Sequence, residues 1–270
     1  MPMPLSSSLV PRLEWLERTG STNADLVAWA SGPAAADWPD LSVVATDDQT
    51  EGRGRLGRVW IAPPGRTLAV SVLVRPAPAT VAPAVIGLLP LISGVAMTSV
   101  VRELVRPEDG DRPATGMKWP NDVLIGGRKV AGILGEALPD GRGAVIGAGL
   151  NLTLSDDELP TPVSTSLALE GVDELSTDAV LAAYLRELAT RYHDLVAAGG
   201  DAERSGLLAA ARELSATLGR RVRVELPDGA VREGTAVALD ALGRLEVEET
   251  GGGRLIVSAG DITHLRHNDS

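Results

Sequence analysis

Apolar residues in this chain recur with two periods, one typical of strands and the other of helices. Short apolar or β-branched runs predict strands at residues 13–16, 41–46 and 67–74. Between the first two runs, Leu26 and Trp29 have helical spacing and follow a Ser-Thr-Asn segment that suits a helix N-cap. The first part of the chain therefore combines short strands with a helix.

A long segment without any charged side chain follows, from residue 76 to residue 101. Its length would suffice to cross a bilayer. Pro83, Pro90 and several small residues interrupt it, however, and its larger apolar residues recur at helical spacing. The N-terminus has no basic region, long apolar run or cleavage-like site typical of a signal peptide. We therefore predict a buried helix packed on a sheet, in a soluble cytoplasmic protein that does not enter a membrane.

Three apolar or β-branched runs come next, at residues 116–125, 129–137 and 144–152. The connections between them, Gly126-Gly127 and Asp140-Gly141, have sequences typical of hairpin turns. Parallel neighbours would need crossover connections of about a dozen residues or more, and these connections are far shorter. At least this part of the sheet is therefore predicted to be antiparallel.

The rest of the chain changes from helical to strand-like character at Gly219. An amphipathic pattern predicts a helix at residues 176–196, ended by Gly199-Gly200, and a second helix at about 202–218. Four short strands are then predicted, at residues 221–226, 231–239, 244–249 and 255–258. Their turns are predicted at residues 227–229, 241–243 and 251–253. The predicted fold class is α+β with two domains: residues 1–218, a mixed, largely antiparallel sheet with helices, and residues 219–270, a small β-barrel.

The composition narrows the possible functions. The 270 residues include 36 acidic and 25 basic side chains, so the net charge is −11. Phosphate backbones repel such a chain unless its basic residues are gathered in one place, so no nucleic-acid partner is expected. Cysteine is absent, which excludes disulfides, thiol nucleophiles and Cys-ligated metal sites, and the three histidines do not suggest a His-rich metal site.

One basic cluster stands out against this acidic background, in the Gly/Arg loop (residues 51–58). Its residues 52–58 read Gly-Arg-Gly-Arg-Leu-Gly-Arg. Glycine lets backbone N–H groups approach an anion closely, and arginine donates forked hydrogen bonds to phosphate or carboxylate. A solvated surface loop explains the same composition equally well. The segment matches neither a P-loop nor a dinucleotide-binding fingerprint.

Two further segments place a basic side chain at the end or at the start of a predicted strand. Residues 118–122 read Lys-Trp-Pro-Asn-Asp, in which Lys can bind phosphate and the Asn and Asp oxygens can hold Mg²⁺. As composition alone, a turn with a core tryptophan explains this segment better. Lys129 opens an apolar strand, where it is either a functional cation at a pocket wall or an edge residue that reaches solvent.

Alternating glycines mark the last run of this region. Gly147 and Gly149 weaken a strand, and such glycines often mark a place where a ligand approaches the backbone. Asn151 follows two residues later and, if buried, needs a polar partner such as a ligand or Mg²⁺.

These motifs, in this order and spacing, closely resemble those of the biotin–protein ligases. The resemblance covers roughly residues 14–266. It rests on Ser21-Thr22-Asn23, Gln49 ahead of Gly-Arg-Gly-Arg-Leu-Gly-Arg, Lys118-Trp119-Pro120-Asn121-Asp122, Arg128-Lys129-Val130-Ala131-Gly132-Ile133-Leu134 and Gly147-Ala148-Gly149-Leu150-Asn151. It implies a class II synthetase-like catalytic domain followed by an SH3-like barrel.

The resemblance also implies a reaction. Members of the family convert biotin and Mg·ATP to biotinyl-5′-AMP and then transfer biotin to one lysine of a biotin carboxyl carrier protein domain. The implied ligands are therefore biotin, ATP and Mg²⁺, and the implied protein partner is the carrier. A monomer and a homodimer both stay open.

Positions that match the family assign roles to residues of this chain. The positions that match biotin-binding residues are Ser21, Thr22, Asn23, Gln49, Gly52, Arg53, Arg55, Lys129, Gly132, Gly147 and Gly149. Those that match ATP-binding residues are Arg55, Arg58, Trp60, Lys118, Asn121 and Asn151, and the two asparagines are also predicted near Mg²⁺. The predicted catalytic residues are Lys129 and Arg53, which stabilise charge on the phosphoryl group, and Asp122, which helps to deprotonate the carrier lysine.

Two other functions stay open. A lipoate–protein ligase would share the catalytic fold, although Lys-Trp-Pro-Asn-Asp together with the Gly/Arg loop favours biotin. A non-catalytic module that binds biotin or its adenylate would not need Lys129 and Asp122. Because few residues precede Leu13, no helix-turn-helix repressor domain is expected. The Gly/Arg loop is expected to close over the ligand and exclude water.

Overall fold

The computed structural model describes residues 1–60, 62–77, 82–105, 114–226, 229–258 and 261–264. The helices are α1 (Pro4–Ser7), α2 (Thr22–Ser31), α3 (Ala82–Leu104), α4 (Thr177–Ala197) and α5 (Leu207–Glu213). The strands are β1 (Leu13–Trp15), β2 (Val43–Thr46), β3 (Gly52–Arg53), β4 (Val59–Trp60), β5 (Thr67–Val74), β6 (Thr115–Lys118), β7 (Asp122–Ile125), β8 (Arg128–Ala137), β9 (Ala144–Asn151), β10 (Arg221–Glu225), β11 (Val231–Leu239), β12 (Leu245–Glu249), β13 (Arg254–Val257) and β14 (Asp261–His264). The predicted α+β class is confirmed.

Seven strands form the main sheet, in the order β1-β2-β5-β9-β8-β7-β6. Strand β1 pairs with β2 in parallel, and the other described pairs of this sheet are antiparallel, as the short connections predict. Gly126 (φ 57°), Gly127 (φ 80°) and Gly141 (φ 67°) have left-handed backbones in the two predicted turns around β8.

Helices cover both faces of this sheet. On one face α3 packs against α4, where buried Ser93 and Tyr184 share a hydrogen bond of 2.8 Å. On the other face α2 contributes Leu26 to a smaller apolar cluster with Trp38 and Val145. Helix α3 is long and apolar enough to cross a membrane, but 72% of its most apolar window is buried inside the protein. The prediction of a buried helix is therefore confirmed.

The apolar run at residues 116–125 folds as a hairpin of two strands, with the strand end that is predicted at residues 118–122 in its turn. Strand β6 ends at Lys118 and β7 begins at Asp122, and these two residues are cross-strand partners. Pro120 lacks the N–H that a sheet ladder needs. Asn121 N donates to Lys118 O (3.2 Å) and closes the turn. The break places Lys118 and Asp122 side by side at the end of the sheet.

The helix predicted at about 202–218 is shorter than expected. Helix α5 begins after Gly206, whose left-handed φ of 77° interrupts helical geometry. At its other end the chain pairs with β6 instead, because Ala216 N donates to Met117 O (2.8 Å) and Met117 N donates to Leu214 O (2.7 Å). Tertiary hydrogen bonds thus replace the last predicted helical turn.

The C-terminal region is a five-stranded antiparallel sheet in the order β13-β12-β11-β10-β14. The apolar pattern predicts four of these strands and misses β14, in which Ile262 is the apolar residue. Residues 227 and 228 of one predicted turn lie outside the described residues. The turn at Gly243 contacts the main sheet, since its carbonyl accepts a hydrogen bond from Trp119 Nε1 (2.9 Å). The C-terminal sheet therefore lies against the hairpin of β6 and β7.

Candidate active site

A cleft of about 1590 Å³ opens where the main sheet, the ribbon of β3 and β4 and the C-terminal region meet. The predicted site residues that line it are Ser21, Thr22, Asn23, Gln49, Arg53, Arg55, Arg58, Trp60, Lys118, Asn121, Asp122, Lys129, Gly132, Gly147, Gly149 and Asn151. Gly52 lines a smaller groove beside the ribbon instead. Motifs far apart in the sequence thus converge on one site.

The N-terminus of α2 forms a polar end of the cleft. Ser21 is the N-cap of this helix, and Thr22 and Asn23 follow in its first turn. The Thr22 backbone N–H donates to Gln49 Oε1 (2.9 Å), and the Thr22 hydroxyl lies 3.2 Å from the same oxygen. A concentration of amide and hydroxyl groups at a helix N-terminus suits a ligand rich in hydrogen-bonding atoms.

Two residues that the sequence reasoning missed complete this polar end. The buried Ser71 hydroxyl lies 2.6 Å from Asn23 Oδ1 and 2.8 Å from Thr22 Oγ1. Asn23 Nδ2 donates to Glu136 Oε1 (3.0 Å) and to Leu134 O (3.2 Å). These bonds fix the orientation of the Asn23 amide. A hydroxyl in the middle of an otherwise apolar strand was the signal for Ser71.

Glycines on β9 form the floor of the cleft, because side chains from other elements lie where a Cβ would be. A Cβ on Gly147 would lie 2.3 Å from Asn23 Oδ1. A Cβ on Gly149 would lie 2.5 Å from the Trp60 ring. Both distances are too short for a real contact, so these positions require glycine unless Asn23 or Trp60 moves.

Trp60 lies over this floor and beside the predicted catalytic lysine. Its ring centroid is 5.8 Å from Lys129 Nζ. Gly132 passes beneath both groups, since a Cβ there would lie 3.0 Å from Nζ and 3.4 Å from the ring. The buried Trp60 Nε1 has no hydrogen-bond partner among the described residues. Because a buried N–H is costly without an acceptor, its position favours a ligand that brings an acceptor atom into the cleft.

The predicted catalytic groups are in contact with one another. Lys129 Nζ lies 2.7 Å from Asp122 Oδ1, with side-chain exposures of 31% and 19%. Arg55 Nη1 donates to Asn121 Oδ1 (2.9 Å), and Asn121 Nδ2 donates to Ile133 O (3.2 Å). The hairpin of β6 and β7 thus presents a carboxylate to the lysine and an amide oxygen to the arginine.

Cations gather in the cleft in spite of the acidic composition. Arg53, Arg58 and Lys118 line it as predicted, and the C-terminal region adds Arg220 and Arg221, which the sequence reasoning missed. Concentrated positive charge in a cleft attracts polyanionic ligands. The two missed arginines follow Gly219 in the segment assigned to a separate barrel, and no local pattern connects them with the cleft.

His264 on β14 is a further cleft residue that the sequence reasoning missed. Its Nε2 lies 3.1 Å from the Thr217 hydroxyl, which accepts a hydrogen bond from Trp119 N (3.0 Å). Burial, together with the positive charges of Lys118 and Arg220, lowers the pKa of His264 from 6.5 to about 4. The ring is therefore neutral at pH 7, and its Nε2 shares a hydrogen bond with the Thr217 hydroxyl.

A magnesium ion fits this cleft as a companion of phosphate groups. Among the described residues, no cluster of three or more His, Cys, Asp or Glu side chains could hold a metal ion. Mg²⁺ usually keeps several waters and is held by one or two protein oxygens together with substrate phosphates. The amide oxygens of Asn121 and Asn151 stay the predicted protein ligands, although Asn121 Oδ1 already accepts from Arg55.

The Gly/Arg loop and the two residues that follow it form a two-stranded ribbon at the mouth of the cleft. Gly52 pairs with Trp60, and Arg53 pairs with Val59. The Val59 side chain is exposed, whereas Trp60 reaches into the cleft from the same strand. Movement of the ribbon would therefore also move the aromatic wall of the site.

Comparison with protein families identifies both parts of the chain. Residues 15–151 match the biotin/lipoate A/B protein ligase family. Residues 217–265 match the biotin protein ligase C terminal domain. The first of these ranges contains all the site residues predicted from the sequence.

Individual proteins agree with these matches. The chain is 40% identical over 255 residues to the biotin--[acetyl-CoA-carboxylase] ligase of Mycobacterium tuberculosis, which covers 94% of this chain and 90% of that protein. The structure of the biotin protein ligase from Aquifex aeolicus in complex with biotin and ATP matches with a TM-score of 0.73 at 23% identity, over 95% of this chain and 99% of that chain. The ligase from Leishmania major in complex with biotinyl-5-AMP matches with a TM-score of 0.59 at 26% identity, over 92% and 99% of the two chains.

Proposed function

The chain belongs to the biotin/lipoate A/B protein ligase family as a biotin protein ligase, and from this premise we propose how its residues divide the reaction between them. The enzyme activates biotin with Mg·ATP to biotinyl-5′-AMP and then transfers biotin to a protein lysine. The observation that carries our assignment is the 2.7 Å ion pair between Lys129 and Asp122, set in a cleft with a polar end and a cluster of cations.

The polar end at the N-terminus of α2 receives the ureido ring of biotin. This ring is neutral but rich in donors and acceptors, which a buried pocket must satisfy. Ser21, Thr22 and Gln49 supply such groups. Gly132 and Gly149 leave room for Lys129 and the Trp60 ring to lie against the strands, and the carboxylate of the ligand points toward Lys129.

In the first step the biotin carboxylate attacks the α-phosphate of ATP, and pyrophosphate leaves. Two anions have to approach each other, and negative charge builds on the transferring phosphoryl group. Lys129 and Arg53 offset this charge. Arg55, Arg58 and Lys118 hold the phosphates. The Mg²⁺ ion that accompanies ATP neutralises phosphate charge when it is bound.

In the second step a lysine amine attacks the acyl carbon of biotinyl-5′-AMP, and AMP leaves. A free lysine has a pKa near 10.4, so it is mostly protonated at pH 7 and must lose a proton before it attacks. Asp122 is the proposed acceptor of this proton. Lys129 keeps its charge and stabilises the oxyanion that forms on the acyl group.

The protein that receives biotin is, in this proposal, a biotin carboxyl carrier protein domain. The name of the Mycobacterium tuberculosis relative, a biotin--[acetyl-CoA-carboxylase] ligase, supports this substrate class. We also propose, on sequence grounds, a division into domains at residues 218 and 219, a monomeric or homodimeric state and a cytoplasmic location.

Incorporation of labelled biotin into a purified carrier domain tests the assignment. We expect the wild type to be active and Lys129→Ala to lose about 100-fold or more in pyrophosphate release, as charge stabilisation of this kind is lost. Labelled lipoate is the control substrate, and incorporation of lipoate without biotin would overturn the choice of biotin. Binding of biotin without pyrophosphate release would indicate a binding module instead.

A further inference from the structure

The backbone of Lys129 is held by a segment that has no part in the reaction described above. Strand β9 pairs with β8 from Ala131 onward, so its ladder does not reach Lys129. Residues 163–165 take the neighbouring position in a short parallel bridge. Lys129 N donates to Val163 O, and Thr165 N donates to Lys129 O, both over 2.8 Å. The segment thus uses both backbone hydrogen-bonding groups of the lysine.

Side chains hold this segment in place from two directions. Asn151 Nδ2 donates to Thr165 O (2.8 Å), and the Thr165 hydroxyl donates to Glu170 Oε1 (2.6 Å). Arg128, the residue before Lys129, donates to the same Glu170 oxygen (2.7 Å). Asn151 and Thr165 are 2% and 0% exposed, so their hydrogen bonds face little competition from water. These bonds form a closed circuit around Lys129.

On its other side Lys129 pairs with Leu124 of β7, where the ladder is irregular. The register between β7 and β8 shifts between Val123 and Leu124, opposite the residues that follow Lys129. A bulge of this kind disrupts the ladder locally and re-aims the side chains next to it. A lysine on a flexible stem also has many rotamers, so its ammonium group is well placed only if its backbone is fixed.

We propose that Asn151, Thr165 and Glu170 are positioning residues that fix the backbone of Lys129 and so determine where Nζ meets the reacting groups. This inference rests on the proposed role of Lys129. It gives Asn151 a task inside the protein that is separate from its predicted place near ATP and Mg²⁺. A displacement of about 1 Å in a catalytic group can cost about 100-fold in rate, so the circuit has a direct effect on the chemistry.

Thr165→Val removes the hydroxyl that joins this segment to Glu170 and preserves the shape of the side chain. We expect kcat for pyrophosphate release to fall about tenfold while KM for biotin and ATP stays within about twofold. Thr165→Ser should restore most of the loss. Glu170→Gln, which weakens the bond to Arg128, should act in the same direction and serves as a second variant if Thr165→Val fails to fold.

Ser166→Ala is the matched control. Ser166 is the next residue and equally buried, but its hydroxyl donates to Leu154 O (2.7 Å) and accepts from Leu169 N (3.3 Å), neither of which belongs to the circuit around Lys129. We expect this variant to lose a similar amount of thermal stability and to keep its kcat. If Thr165→Val leaves kcat unchanged, or if Ser166→Ala lowers kcat by the same factor, the proposal is overturned.

A double-mutant cycle separates this proposal from the role of Lys129 itself. In a Lys129→Ala background, Thr165→Val should change single-turnover pyrophosphate release by less than about twofold, because the residue it acts through is gone. The same tenfold loss with and without Lys129 would contradict positioning. Wild-type activity of Lys129→Ala would instead overturn the catalytic role of the lysine.

Discussion

At the scale of single residues, the glycines of β9 leave room for the side chains of Asn23 and Trp60, which line the cleft. A Cβ on Gly147 would lie 2.3 Å from Asn23 Oδ1, whereas a Cβ on Gly135 of β8 would make ordinary contacts no closer than 3.5 Å. We expect Gly147→Ala to displace the Asn23 amide and to raise KM for biotin about 10- to 100-fold, since overpacking costs about 1–3 kcal/mol. Steady-state kinetics measures this change, and Gly135→Ala is the control that should leave KM nearly unchanged. Equal effects of the two variants would contradict the interpretation.

Asp122 has two tasks in the proposed mechanism, and one substitution distinguishes them. As a base it acts in the transfer step, but as the partner of Lys129 it acts in both steps. We expect Asp122→Asn to slow transfer from preformed biotinyl-5′-AMP about 100- to 10,000-fold, as for loss of a general base, and to slow pyrophosphate release far less. Single-turnover measurements of each step check this. An equal loss in both steps would assign Asp122 to the support of Lys129 alone.

At the scale of elements, the ribbon of β3 and β4 is held by two residue pairs and carries three arginines at the cleft mouth. We expect trypsin to cleave after Arg53, Arg55 and Arg58 about tenfold more slowly when biotin and ATP are both present, because a closed ribbon withdraws its backbone from the protease. Exposed Arg142, in the turn between β8 and β9, is an internal control whose cleavage should not change. Timed digests followed by mass spectrometry measure both rates. Unchanged cleavage of the ribbon would exclude its closure over the ligand.

Helices and strands could be predicted from the sequence where the spacing of apolar residues and the residues typical of turns indicate the same boundaries. Strand β5 is a continuous apolar run, helix α4 has a helical apolar period, and the turn between β8 and β9 contains a left-handed glycine. The prediction fails where a local hydrogen bond stabilises a conformation other than the one that the apolar spacing indicates. Before α5, Asp201 Oδ1 accepts from the backbone N–H groups of Glu203 and Arg204 (3.0 Å each), which favours a turn over the predicted helix.

Site residues could be predicted where the reactive side chain is itself part of a recognisable sequence motif. Lys129 and Asp122 belong to such motifs, and the structure brings them together. Ser71 supports Thr22 and Asn23 from beneath the cleft, and His264 lines the cleft, because of how the strands pair. Neither residue belongs to a motif of this kind. Prediction from sequence therefore identifies the reacting groups better than the residues that support them.

At the scale of the whole molecule, the C-terminal sheet forms a wall of the active site. It contacts the main sheet through the hydrogen bond from Trp119 Nε1 to Gly243 O and through the pair of Thr217 and His264. Trp119 belongs to the hairpin that carries Lys118, and Thr217 is hydrogen-bonded to the same hairpin through Trp119 N. The C-terminal sheet therefore does more than shield the main sheet, because it also shapes the cationic end of the cleft.

The contact at His264 makes the stability of the folded molecule sensitive to acid. The pKa of His264 is lowered from 6.5 to about 4 by burial and by the charges of Lys118 and Arg220. Between these two values the unfolded chain binds a proton that the native protein does not bind. The contribution of His264 to stability is therefore constant above about pH 6.5 and falls as the pH drops toward 4.

We expect His264→Gln to remove this loss, because a glutamine amide can still form a hydrogen bond with the Thr217 hydroxyl but does not titrate. The free energy of unfolding, measured in urea at pH 7.5 and pH 5.0, should fall less for the variant than for the wild type by about 1 kcal/mol, a value reduced for the partial exposure of the ring. Arg220→Gln should act in the same direction with a smaller effect, since burial is the larger cause of the lowered pKa. If His264→Gln keeps the full pH dependence of the wild type, the acid sensitivity comes from another group. Protonation of His264 then does not weaken the wall formed by the C-terminal sheet.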